Sequence, residues 1–152
     1  MEVHFYQLQN SALAKVTHDL AARCLQHGWQ VNVVAPNAVD QMDGALWAVE
    51  ECGFFPHGVA GAPYADQQTV LISNAPDHSN NPDALILTGL SELKTEDLNG
   101  YQRVSVVFDG NNLDELQNAR SIWKNLVGGD TIAKYWSQEN GSWKMKASSD
   151  AE

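Results

Sequence analysis

Four short runs constrain this chain more than anything else in it: "QVNVVA" (30–35), "QTVLIS" (68–73), "DALILTG" (83–89) and "RVSVVF" (103–108). The first is a short β-branched strand and the other three have the make-up of strands covered on both faces, so the chain must also supply helices to cover them. It does. After an alternating strand, "EVHFYQL" (2–8), the residues Leu13, Val16, Leu20 and Cys24 recur at three- and four-residue steps, with Asn10 or Ser11 as the cap and Gly28 where a left-handed stop belongs. A second helix is expected from Pro36 and Asn37 to about Glu51, ended by Gly53, and a third from about Leu113 to Val127.

Strands alternating with helices predict an α/β fold, a three-layer α/β/α arrangement around a largely parallel sheet with right-handed crossovers. At 152 residues one domain suffices to bury a core, and it is expected over residues 1–146 with a flexible tail over 147–152. No apolar run is long enough for a membrane span, and "MEVHFYQLQN" lacks the basic-then-apolar layout of a secretory signal, so a cytoplasmic protein is expected. Cys24 and Cys52 stand far apart with no CxxC, which fits free core thiols.

A sheet of this kind invites a nucleotide-binding reading, but the turn after the first strand, "QLQNSALAK", has no glycine through which backbone could approach a pyrophosphate. Neither GxGxxG nor GxxxxGK[ST] occurs, and there is no G-x-S-x-G elbow. The fold is therefore expected to be Rossmann-like without a phosphate-binding loop, and no cofactor or metal is expected. Cys52 with His57, and the polar loop carrying Asp77, His78 and Asp83, remain the only footing for a competing reading as a degenerate α/β nucleotide-binding or hydrolytic enzyme. Core-plus-turn and a solvated loop account for the same residues.

Charge narrows the partners. The chain carries a formal −10, which opposes direct binding to a nucleic-acid backbone, yet residues 120–146 alone carry +3. A local anionic ligand fits that asymmetry better than a long polyanion. Within this region Arg120, Trp123 and Lys124 fall at i, i+3 and i+4, so two cations flank an aromatic and could hold a carboxylate while the ring takes an apolar side chain. A solvated helix face with Trp123 turned inward is the alternative. A second constellation, "GALWAVEECGFFPHG", places Trp47 near a helix end and Phe54, Phe55 and Pro56 at a turn, forming an apolar shelf with His57 as a polar rim. Either the chain's own loop "GVAGAPYADQ" covers that shelf or a partner does.

Taken together, "VHFYQL", "GWQVNVVA", "ALWAVEECGFFPHGVAG", "TVLIS", "DALILTGLSE", "ARSIWKNLVGG" and the ending "YWSQENGSWKMKA" resemble the chi subunit of the bacterial DNA polymerase III holoenzyme. The resemblance implies a non-catalytic adaptor with an α/β/α fold that lacks the phosphate loop. It implies one surface for the small psi subunit of the clamp loader, or a substitute such as a helicase, and another for the acidic carboxy-terminal tail of single-stranded DNA-binding protein. Trp47, Phe54 and Pro56 match the family's psi-contact positions, with Phe55 and His57 beside them. Arg120, Trp123 and Lys124 match its tail pocket, Trp123 standing where Tyr is often found and Leu116 or a neighbour where some members contribute a lysine.

Overall fold

In the computed structural model, which describes residues 2–9, 12–48, 57–91, 100–126, 131–139 and 142–148, the apolar runs assemble into one sheet. Its strands are β1 (Glu2–Leu8), β2 (Val31–Val34), β3 (Gly58–Val59), β4 (Val70–Ser73), β5 (Ala84–Thr88), β6 (Arg103–Asp109), β7 (Ile132–Glu139) and β8 (Ser142–Ser148). They lie in the order β3-β4-β2-β5-β6-β1-β7-β8. Every neighbouring pair is parallel except the β7–β8 hairpin. The α/β class and the largely parallel sheet expected from sequence are what the chain adopts.

Helices α1 (Leu13–Gln26) and α2 (Val39–Ala48) cover one face, and α3 (Leu113–Leu126) covers the other. Strand alternation divides the core accordingly. Tyr6, Leu8, Val31, Val33, Ile72 and Ile86 pack with Val16, Leu20 and Leu46, whereas Val3, Phe5, Leu85, Leu87, Val104 and Phe108 pack with Ala119, Ile122 and Leu126. β2, β4 and β5 are buried along their whole length, which is why they read as continuous apolar runs.

Several boundaries differ from expectation. The residue capping α1 is Ala12, which makes no side-chain capping bond, while Asn10 and Ser11 lie outside the described residues. Gly28 does take the left-handed conformation that ends this helix, at φ 79°. The second helix begins at Val39, because Asn37 is itself left-handed (φ 59°) and its N–H is held by Asn74 Oδ1 at 2.6 Å. Its expected end at Glu51 and Gly53 falls outside the described residues. At the other end of the chain, Ala147 and Ser148 were expected in a flexible tail but pair with Tyr135 and Lys134.

The hairpin was not anticipated as strands. β7 lies parallel to β1, with Phe5 opposite Tyr135 and Tyr6 opposite Trp136, so its successive aromatics go to opposite faces of the sheet. The stretch 74–83 is the largely exposed loop that was expected, and it is also tied to the sheet. Buried Asn32 donates to Leu71 O (3.0 Å) and Ser73 Oγ (2.8 Å) and accepts the Asp77 N–H (3.0 Å), and buried Asn80 donates to Val31 O (3.1 Å) and Gln68 O (3.0 Å). These amides hold loop to sheet, although the Asn80 Oδ1 is buried without a hydrogen-bond partner.

Candidate functional site

On α3 the helical period of about 100° per residue puts Ala119, Ile122 and Leu126 within about 60° of one another, Trp123 about 40° beyond them, and Arg120 and Lys124 farther round again. Burial follows that wheel: the first three are buried, Trp123 is partly buried, and Arg120 and Lys124 are exposed. Trp123 therefore sits on the border between core and cations. The two readings of this residue, core anchor and pocket wall, are both partly met in one side chain.

Opposite α3 stands the β7–β8 hairpin, and between them runs a groove of about 430 Å³ lined by Gln7, Arg120, Trp123, Lys124, Tyr135 and Ala147. Its floor is aromatic. The Trp123 ring meets Phe5 edge-on at 5.4 Å and Tyr135 edge-on at 6.0 Å, while Phe5 and Tyr135 stack at 6.3 Å. Edge-to-face contacts of this kind contribute about 0.5–1.5 kcal/mol beyond burial and fix the ring planes. The Tyr135 hydroxyl donates to Gln7 Oε1, and burial raises its pKa while the Arg120 charge acts in the opposite sense, so the phenol stays a donor at neutral pH. Among the described residues no carboxylate lies within salt-bridge distance of Arg120 or Lys124. The groove thus combines an apolar floor with two cations whose counter-charge the described residues do not supply. It suits a carboxylate attached to an aromatic or aliphatic side chain.

Gln7, Tyr135 and Ala147 were missed by sequence reasoning. "TIAKYWSQ" carries a usable sign, since Ala133, Tyr135 and Ser137 alternate with Lys134 and Trp136 at the period of a strand. Nothing in the linear order says that this strand pairs with β1.

The other predicted site is only partly in view. Trp47 belongs to the last turn of α2, but its side chain, and Phe54, Phe55 and Pro56 altogether, lie outside the described residues, as does Cys52. His57 is described, and it is no exposed rim: its side chain is buried, with Nε2 3.0 Å from Asp43 Oδ1 and 3.2 Å from Asp43 O. The bonds tie the start of β3 to α2.

The described residues of the enzyme alternative are occupied structurally. Asp77 accepts the Ser79 N–H at 2.8 Å, and hydrogen bonding from the Ser79 side chain first and its backbone second lowers the Asp77 pKa; His78 stacks on Tyr101 at 5.6 Å; Asp83 accepts the Gln30 N–H at 3.1 Å. Among the described residues, no three His, Cys, Asp or Glu side chains converge to hold a metal ion. At the carboxyl ends of β2 and β5, where open α/β sheets usually bind ligands, the crevice of about 260 Å³ is walled mainly by Leu13, Ala14, Pro36, Met42 and Ala45. Its lining is mainly apolar side chain, with a single glycine, Gly89, and the carboxylate of Glu115, a poor match to the glycine-rich backbone that cradles a phosphate.

Helix α3, with Arg120, Trp123 and Lys124, is also the last element of the chain that comparison with known families reaches. Among curated proteins none matches. Residues 1–130 match the family model of the DNA polymerase III chi subunit, HolC, and the chain belongs to that family.

Proposed function

We propose that this accessory subunit of DNA polymerase III is a cytoplasmic, non-catalytic adaptor that captures the acidic carboxy-terminal tail of single-stranded DNA-binding protein in the groove between α3 and the β7–β8 hairpin. A second surface around Trp47, Phe54, Phe55 and Pro56, with the buried His57 behind it, joins it to the clamp loader through a psi-like subunit, or to a substitute such as a helicase. Membership of the chi family supplies the replication setting. The observation that supports the tail site is the aromatic floor of Trp123 and Tyr135 beneath the exposed cations Arg120 and Lys124. In the described residues no helix is long and apolar enough to cross a membrane.

In this reading Arg120 and Lys124 hold the tail's terminal carboxylate and the ring of its last residue lies against Trp123. Charge-assisted hydrogen bonds contribute about 1.5–3 kcal/mol each, so a few of them give a modest, exchangeable affinity. The acidic body repels DNA and misplaced tails, which leaves the cationic groove as the favourable landing place.

Titration of a tail peptide by calorimetry tests the site. Arg120→Ala weakens binding by about tenfold or more, and added salt weakens the wild type too; an unchanged titration discards the assignment. On the second surface, Phe54→Ala abolishes co-purification with a psi-like protein and leaves tail binding intact. If both functions fail together in a folded variant, the two surfaces are not separate.

A further inference from the structure

On the opposite layer from the groove, where α1 ends and β6 begins, a smaller hollow of about 80 Å³ lies between the helix and the sheet. Strand register explains which side chains reach it. Glu2 lies opposite Arg103 and His4 opposite Ser105, and because Val3, Phe5 and Val104 face α3, Arg103 and Ser105 face α1. Helix α1 brings Arg23 and Cys24 from its last turns. The inner wall is formed by Tyr6, Cys24 and Ser105, all buried, and the rim carries Arg23 and Arg103. The Arg103 guanidinium lies over the Trp29 ring at 5.9 Å, and His27 stacks on that indole at 4.7 Å, contacts that restrain the rim. Ser105 is only 4% exposed, yet its hydroxyl has no partner among the described residues. Hydroxyls so placed are normally bonded, so this one marks a position for an acceptor inside the hollow.

The charges at this corner point the same way. Glu2 stands 4.0 Å from Arg103 but is held at 3.1 Å by both His4 and Lys134, so one carboxylate serves several cations. Arg23 has no carboxylate within salt-bridge distance among the described residues, and Asp19, one turn earlier on α1, pairs with Lys15 at 3.4 Å. Burial raises the pKa values of Tyr6 and Cys24, and the Arg103 charge opposes it at both, so the field of the rim reaches the inner wall. The end of a helix repels anions when its carbonyls are bare. Here the carbonyls of Arg23, Cys24 and Leu25 accept the N–H groups of His27, Gly28 and Trp29. The geometry points to a site for one phosphate-class oxyanion, gripped between Arg23 and Arg103 and bonded from within by the Ser105 hydroxyl. The volume equals that of about two or three water molecules, enough for a single such group and too little for a nucleoside. Donors converging from a helix, a strand and the inner wall suit a tetrahedral ion with several acceptor oxygens better than a planar carboxylate. The phosphate group may be carried as the free ion or as a monoester, and the site is independent of the tail groove.

Thermal unfolding in rising inorganic phosphate, with chloride at matched ionic strength as the reference, tests the site. Phosphate is expected to raise the midpoint along a saturating curve that chloride does not reproduce. Arg23 is exposed, so Arg23→Ala leaves the phosphate-free midpoint unchanged and moves the curve to about tenfold higher phosphate. Ser105→Ala moves it about threefold, and Lys15→Ala, which removes one charge from the same helix, leaves it in place. Repeating the titration with glycerol phosphate identifies the source: an equal response admits monoesters, and a response to inorganic phosphate alone restricts the site to the free ion. A rise that never saturates is the general effect of an excluded salt and overturns the site, as do equal responses to phosphate and chloride or equal shifts in Arg23→Ala and Lys15→Ala. A shift in Arg23→Ala with none in Ser105→Ala overturns the hollow as the seat of the ion.

Discussion

Strands β1 and β7 show two different uses of charge on their two faces. Towards α1, Glu2 gathers His4 Nε2 at 3.1 Å and Lys134 Nζ at 3.1 Å, with Arg103 at 4.0 Å, and the Nδ1 of His4 accepts the Trp136 indole N–H at 3.3 Å. Because an indole nitrogen only donates, the imidazole proton belongs on Nε2, where it is given to Glu2. Towards α3 the same strands offer Phe5, Gln7 and Tyr135, and the cations above them have no carboxylate among the described residues. Lys134, on the α1 side, has its counter-charge in Glu2, whereas Arg120 and Lys124 have no carboxylate within salt-bridge distance among the described residues.

Variants break or sharpen that contrast. Trp123→Ala should have the largest effect, because the indole belongs to both the core and the groove: tail-peptide affinity drops by more than about tenfold, and unfolding in urea shows about 2 kcal/mol lost, less than for a fully enclosed tryptophan. Arg120→Ala comes next, with the same binding defect and an unchanged urea midpoint, since the side chain is exposed. Should Arg120→Ala unfold the protein, the guanidinium serves the fold and the contrast fails.

Glu2→Gln gives the smallest effect and the opposite signature. Hydrogen bonds from His4 and Lys134 hold the Glu2 carboxyl down from its ordinary 4.5 to about 2. A carboxyl depressed on folding adds stability that is fully present above the unfolded value and disappears as pH falls through the folded one. The variant should therefore be about 1 kcal/mol less stable at pH 7, a value appropriate to a solvent-screened network, and the gap should close between about pH 4.5 and pH 2 in urea titrations. Burial depresses His4 as well, so folded protein resists taking up the proton that the unfolded chain accepts below its ordinary 6.5, and acid destabilises it further. Peptide binding at pH 7 should match the wild type; a loss there would couple the two faces.

Much of this was legible in the sequence because strands covered on both faces announce themselves locally. The runs at β2, β4, β5 and β6 are apolar whatever their order, and the stripe of α1 needs only its own spacing. Arg120, Trp123 and Lys124 were found for the same reason, since one helix positions all three. The hairpin was harder to read: Lys134, Ser137 and Gln138 give β7 a polar appearance, and its burial depends on β1, more than 120 residues earlier, lying alongside. His57 shows the reverse error. Beside proline and glycine it looks like a turn residue at a surface, yet Asp43 on α2 draws it inside.

The amino-acid order by itself determined the layered α/β architecture, the missing phosphate loop and the trio on α3, each set by spacing within one short segment. Only the tertiary structure decided that Trp123 straddles core and surface and that Tyr135 and Ala147 complete the groove. Those outcomes depend on strand pairing across the whole chain, and a register change of one residue in β7 would have turned Tyr135 away from α3.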